Sequence, residues 1–425
     1  MTTSLTDFIS NPSCMDDYDP NSMPVNKARE LIKQFLSPVF ETESVSIRES
    51  LERILAHEIS SPSNVPNYDN SAMDGFAFKA EDMKLENHTV LKVIGTTFAG
   101  KAFAGEIKSG ECIRIMTGGI MPKGADTVIM QEKVKMENDV ITFAEAPQPK
   151  ANVRYAGEDL KIGQMVLTKG HKMRPADLGL LASLGITEVC VYRRLKVAIF
   201  STGDELVSIH KSLKTGQVYD SNRYSLYGML TKLDAEIIDL GTIADMPELL
   251  ESTLLKASQQ ADVVITSGGV SVGEADYMKL LLSKHGQIVF WKIAMKPGRP
   301  LAYGKIGGAH FFGLPGNPVA VMVTFYQFVR EALLILMGQP NPVALPIFNV
   351  TCTESIKKQA GRTEFQRGIL FADTDGSWKV RPTGAQGSAI LSSMSLANCF
   401  IVLNESIGNL EAGTKVQVQV LDGLV

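Results

Sequence analysis

The sequence predicts a multidomain chain that joins an α/β layer to separate all-β pieces, and three observations carry that expectation. At 425 residues the chain exceeds a single ordinary core and suits about two to four domains. From Leu195, apolar strands alternate with helical segments, the rhythm of a mostly parallel sheet covered by helices. Short β-like runs broken by glycine fill residues 76–150 and return after Pro342, which predicts two small β domains.

The first 22 residues carry Asn, Pro, Ser and Asp without hydrophobic periodicity and are expected to be a flexible tail. From Pro24, VNKARELIKQFL sets Val25, Ala28, Leu31, Ile32, Phe35 and Leu36 on one helical face, and Pro38 ends it. A second helix is expected over Arg48–His57. SSPSNVPNYDNSAMDG then marks a boundary. The inserted β domain spans 66–150, and a discontinuous helical linker domain comprises 23–65 and 151–193. Its second part holds ADLGLLASLG, with Pro175 before and Gly185 at the end. The α/β layer takes 194–342 and a C-terminal β-barrel-like domain takes 343–425.

Apolar residues at 44% and charged residues at 21% match a folded soluble protein. Forty-two basic against 46 acidic residues give a net charge of -4, so neither nucleic acid nor an anionic membrane is an expected partner. Cys14, Cys112, Cys190, Cys352 and Cys399 are isolated and odd in number, and read as reduced thiols. No uninterrupted apolar stretch approaches the ~18 residues of a membrane span, and the N-terminus is not signal-like. A cytoplasmic location is expected.

In open α/β sheets ligands bind beyond the carboxyl ends of the strands. Four such junctions are rich. STGDEL supplies Asp204 and Glu205, and GTIAD supplies Asp245. TSGGVSVGEADY supplies Ser267, Gly268, Gly269, Ser271 and Asp276 before a helix, where backbone N–H groups can hold an anion. GLPGNP is the fourth. Each glycine turn or acid has an ordinary role as tight geometry or helix cap. Carboxylates gathered beside an anion cradle suit magnesium and a phosphate ester. Neither a nicotinamide GxGxxG nor a Walker loop follows these strands. WKIAMKPGRP adds Lys292, Lys296 and Arg299 around a Pro-Gly turn, cations fit for a phosphate or oxyanion or for a solvated loop.

Taken in order, DNSAMDGFA, RIMTGG, GEDL, FSTGDEL, TSGGVSVGEADY, MKPGRP, GLPGNP, EFQRG and AQGS resemble the signature string of the MoeA family of molybdopterin molybdenumtransferases, related to the E domain of gephyrin. The likeness covers nearly the whole chain after about residue 23. It implies that 194–342 is an αβα molybdopterin-binding domain. Family members accept adenylylated molybdopterin, use magnesium, consume molybdate, and release AMP with molybdenum-bearing molybdopterin. The resemblance implies that Asp245, Ser271 and Asp276 help hold magnesium and ligand with Glu205 nearby. It places Lys296, Arg299, Pro300, Arg367 and Ser388 at or near the molybdate site, between the α/β and C-terminal domains. Pro315 and Pro318 of GLPGNP belong to the substrate-binding set with Ser267, Gly268, Gly269 and Lys292.

By the same likeness, Asp74 and Thr117 face the site from the partner subunit's inserted domain and Asp159 also matters, so a homodimer with shared active sites is implied. Contacts with the molybdopterin adenylyltransferase and with apo-molybdoenzymes or their chaperones follow. Two departures stand out: many relatives have lysine where Arg299 stands and serine where Ala320 follows GNPV. A non-catalytic scaffold and a nucleotide pyrophosphatase are the alternative readings.

Overall fold

The structure is a computed structural model that describes residues 22–84, 88–269, 280–281, 284–342 and 344–421. The expected tail, apart from Ser22, and Ser271, Asp276 and most of the helix expected near DYMKLLLSKHG lie outside the described residues. The chain forms two compact units: Met1–Glu43, Glu52–Ile54 and Val191–Val425 make the first, Ser44–Leu51 and Leu55–Cys190 the second.

The second unit is built on a mixed six-stranded sheet in the order Thr127–Met130, Gly75–Phe78, Glu111–Ile115, Thr89–Thr97, Val140–Phe143, Lys135–Glu137. Successive side chains of a strand point to opposite faces. Phe76 and Phe78 accordingly pack with Ile129, Ile141 and Phe143, while Ala77 packs on the other face with Ile115 and Val128. A Cβ at Gly75 would meet the Ile129 carbonyl oxygen at 2.0 Å, so this strand can approach its neighbour only with glycine there. The linker helix forms at Pro175–Ser183, with proline in its first turn as expected.

The helix expected at Arg48–His57 does not form. Glu49 N–H donates to the Ser46 carbonyl at 3.0 Å and Ser46 Oγ donates to the Glu49 carboxylate at 2.8 Å, closing a turn. Glu52 then adopts φ 67, outside the right-handed helical region. Local side-chain bonds here outcompete the helical spacing of Leu51, Ile54 and Leu55.

The first unit holds the α/β layer. Its sheet runs Glu236–Ile243, Lys196–Thr202, Val263–Ser267, Ala309–Leu314, Pro300–Ile306, Gly286–Lys292, with the first three ladders parallel and the last two antiparallel. The central strands are buried along their length apart from Lys196 at the start of the first, which is why KVAIFST, VVITS and AHFFGL read as continuous rather than alternating apolar runs. The Pro247–Gln260 helix buries Leu250, Leu254 and Ala257 against Ala198, Phe200 and Val264. Each large apolar side chain so buried contributes about 1.5–3 kcal/mol.

Pro318–Leu336 is one long helix with a π-helical turn at Phe325–Val329. It has the length and composition of a membrane span, yet 72% of its apolar window is buried within the protein. Gln327, in the π turn, donates through Nε2 to Gln419 Oε1 at 2.7 Å, and its carbonyl accepts from Arg29 Nε at 2.8 Å. That bond docks the expected Val25–Gln34 helix, whose buried face is Val25, Ala28, Leu31 and Ile32.

The strands Thr363–Ala372, Trp378–Pro382, Ile347–Cys352, Lys415–Val420 and Cys399–Leu403 close into a five-stranded barrel, because the first also pairs with the last. The α/β plus all-β class and the barrel-like C-terminal domain are therefore observed. Cys112, Cys190, Cys352 and Cys399 are free thiols.

One core group couples this layer to pH. His310 is 6% exposed, its Nδ1 lies 3.3 Å from the Tyr303 hydroxyl, and the two rings stack. Burial, helped by Lys305 and opposed by Asp262, pulls its pKa down to about 4. Unfolded histidine titrates near ~6.5, so the unfolded chain binds the extra proton first. The stabilisation is complete above that value and is lost as pH falls from there toward the folded pKa, by roughly 3 kcal/mol. Urea unfolding of wild type and His310→Phe from pH 7 to 4 is expected to show this slope in wild type and a shallower one in the variant.

Candidate functional site

A cleft of about 920 Å³ opens in the first unit beyond the carboxyl ends of the parallel strands. Glu205 reaches it from the turn after Lys196–Thr202, and Asp220, Ser221 and Asn222 from the start of the Ser221–Thr231 helix. Lys296, Gly298, Arg299 and Pro300 form a second wall, and Pro315–Pro318 a third. The barrel contributes Gln359, Arg362 and the Gln386–Ala389 turn. Of the residues expected from sequence, Glu205, Lys296, Arg299, Pro300, Pro315, Pro318 and Ser388 thus line one space.

Lys296 owes its position to backbone pairing. Met295–Lys296 forms a short parallel ladder with the barrel strand, matching Lys296 to Glu364. Lys296 Nζ lies 3.5 Å from Glu364 Oε1, while Gln366 Nε2 donates to Glu364 Oε2 at 2.9 Å. Glu364 is buried and Lys296 is half exposed, so the carboxylate anchors the ammonium from behind. Gly298 has φ +97 and a Cβ there would meet Thr324 Oγ1 at 2.5 Å, so the KPGRP turn needs glycine at this point.

Several expected contact residues are instead framework. Arg367 is 1% exposed and does not line the cleft. Its Nε donates to Ser393 Oγ at 2.9 Å and its Nη2 to the Gly387 carbonyl at 2.9 Å, so the guanidinium holds the Gln386–Ala389 turn from within. Burial lowers its pKa to about 10, which still leaves it charged at neutral pH. Gln386 completes the clamp by accepting from Arg367 N–H at 2.8 Å, and Val319 N–H donates to the Ser388 carbonyl at 3.0 Å. Ser267 is likewise buried; its Oγ accepts from Asn222 Nδ2 at 2.7 Å and reaches the Pro315 carbonyl at 3.4 Å. Spacing at a strand end does not distinguish a hydroxyl facing ligand from one tying two loops together.

Gly268 and Gly269 take φ +89 and +68, the tight turn expected of them, and neither lines the cleft. Lys292 stands opposite Pro300 in the ladder, also outside the lining. Asp245 does not line it either; its N–H donates to Asp204 Oδ1 at 3.2 Å, which sets two acidic residues side by side at neighbouring strand ends. Among the described residues no group of three His, Cys, Asp or Glu is placed to hold a metal ion. A magnesium ion that arrives with a phosphate ester asks for less, one or two carboxylates plus ligand oxygens. Asp204 and Asp245 are joined here through the Asp245 backbone N–H, and neither lines the cleft.

Asp220 and Asn222 were not singled out by sequence reasoning. Asp220 caps the Ser221–Thr231 helix, accepting from Arg223 N–H at 3.3 Å, and also accepts from Ser201 Oγ and Thr242 Oγ1 at 3.0 Å each. A polar Asp-Ser-Asn before a helix was the available signal, and it reads as a plain cap.

In the second unit Asp74 and Thr117 are in contact. Thr117 N–H and Oγ1 donate to Asp74 Oδ1 at 2.7 and 2.8 Å. These bonds, the backbone one foremost, hold the Asp74 carboxyl below its usual range. Asp159 is exposed in the GEDL loop, where its N–H donates to the Val65 carbonyl at 2.9 Å. Asp69 Oδ1 accepts from Ala156 N–H at 2.7 Å, joining that stretch to DNSAMDG.

Fold and cleft together define a multidomain α/β protein with a strand-end cleft lined by the α/β layer and the β-barrel and carrying both carboxylates and cations. The chain belongs to the MoeA family. Residues 23–185 match the MoeA N-terminal region (domain I and II), 198–334 the probable molybdopterin binding domain, and 349–421 the MoeA C-terminal region (domain IV). It is 46% identical over 404 residues to a molybdopterin molybdenumtransferase of Haemophilus influenzae, covering 95% of this chain and 100% of that one. Gephyrin of Dictyostelium discoideum is 33% identical over 93% of this chain and 62% of its own length. The solved molybdopterin biosynthesis MoeA protein of Pyrococcus horikoshii superposes with a TM-score of 0.82 at 32% identity, covering 94% of this chain and 100% of that chain.

Proposed function

We propose that the chain is a molybdenum insertase, a transferase that converts adenylylated molybdopterin and molybdate to molybdenum-bearing molybdopterin and AMP. The carrying observation is the single cleft that gathers Lys296, Arg299 and Arg362 with Glu205 and Ser388 under the barrel turn. Its volume suits a ligand of nucleotide or pterin size. Molybdate and phosphate oxygens are acceptors only, and such cations hold them through charge-assisted hydrogen bonds.

Magnesium, for which Asp245 is the ligand expected among the described residues, would supply neutralisation of charge developing on the cleaved phosphate. Lys296 and Arg299 bind and orient the oxyanion, and the barrel turn that carries Ser388 fixes the other side. Positioning of two reactants in one cleft accounts for much of the rate, and no covalent protein nucleophile is required. Asp74, Thr117 and Asp159 act in this scheme from the partner subunit of a cytoplasmic homodimer.

The test is turnover of adenylylated molybdopterin by purified protein with magnesium and molybdate. AMP and molybdenum cofactor are expected together. AMP without metal insertion would make the chain a hydrolase, and no turnover would make it a scaffold.

A further inference from the structure

Asn222, in the first turn of the Ser221–Thr231 helix, lines the cleft and is 7% exposed. Its Nδ2 donates to Ser267 Oγ at 2.7 Å and to the Gly316 carbonyl at 2.6 Å. A carbonyl can only accept, so the amide nitrogen and not the oxygen must face Gly316. Both N–H groups are thereby used. Oδ1 is left buried, with no donor among the described residues. An acceptor taken from water without a partner costs free energy, and a ligand that brings a donor recovers it.

We propose that Asn222 Oδ1 accepts a hydrogen bond from an N–H or O–H of the organic part of the ligand, and so fixes which end of the cleft that part occupies. The inference rests on the insertase reading and deepens it. Ionised molybdate and phosphate have no proton to give. They are excluded from this point and left to Lys296, Arg299 and Arg362, which line the same cleft. Asn222 is thus a binding residue that gives the cleft polarity: a neutral acceptor receives the organic portion and a cationic wall receives the oxyanion. A ribose hydroxyl and a pterin amino group share the required chemistry.

Calorimetric binding to wild type, Asn222→Ala and Ser267→Ala distinguishes these two sources. The probes are AMP against its 2′-deoxy and 3′-deoxy analogues, and 6-hydroxymethylpterin against 6-hydroxymethyllumazine, in which oxygen replaces the exocyclic amino group. Wild type is expected to prefer the donor-bearing member of one set by about tenfold. Asn222→Ala is expected to lose that preference. Ser267→Ala, which loosens the same framework but keeps Oδ1, is expected to retain it. Uniform weakening of every probe in Asn222→Ala, a preference that survives in it, or no preference in wild type would overturn the assignment. Turnover of the wild type, measured alongside, keeps the insertase reading standing in those cases; absent turnover would remove both.

Discussion

Replacing Lys296 with alanine is expected to lower molybdenum insertion at subsaturating molybdate about 100-fold, equivalent to about 2.7 kcal/mol, the order of cost of removing one charged hydrogen-bond donor from a bound oxyanion. The loss should fall mainly on the molybdate dependence. Without the ammonium, the cleft wall loses a cation, and the buried Glu364 carboxylate behind it keeps Gln366 as its neutral partner. The Met295–Lys296 ladder to Thr363–Glu364 is a backbone pairing, so the variant should fold. Lys296→Arg should recover part of the rate but not all, because a planar fork does not replace a compact ammonium. Rates measured across a molybdate series decide the matter. Equal loss at all molybdate concentrations, saturating included, would separate Lys296 from oxyanion binding.

Arg367→Met is expected to destabilise the first unit by about 3 kcal/mol and to abolish most turnover. The cost comes from carbonyls, not from a lost ligand contact. Gly387 O and Ala385 O would lose their charged donor, and the buried Ser393 Oγ would keep only the Ile390 carbonyl. The turn carrying Gln386 and Ser388 would then come free of the cleft wall. Chemical denaturation and insertion rate should fall together. A variant with wild-type stability and lost turnover would instead place the guanidinium on the substrate.

Much of the fold was legible because its patterns are local. Continuous apolar strands followed by glycine and acid define the α/β layer, and short alternating runs such as KVQVQV define the barrel. The Arg48–His57 segment was misread because Ser46, Glu49 and the positive φ of Glu52 are matters of side-chain bonding and backbone geometry, not of periodicity. The site divides the same way. Lys296 and Arg299 stand where charge around a Pro-Gly turn suggested, and Ser388 where the family resemblance implied. Arg367 and Ser267 show the limit: a cation or hydroxyl in a strand-end motif looks the same in sequence whether it faces a ligand or ties the framework from inside. Asn222 was invisible for a related reason. Its significance lies in Gly316, 94 residues away along the chain, which consumes one side of its amide.

The two-residue ladder between Met295–Lys296 and the barrel strand also limits how this architecture can be recombined. The KPGRP segment belongs to the α/β layer by chain order and to the barrel by hydrogen bonding. A chimaera that exchanges the C-terminal domain alone would inherit a cation registered against a foreign strand. Functional exchange therefore requires the 293–300 segment to travel with 344–421, and the two stretches should be treated as one heritable part.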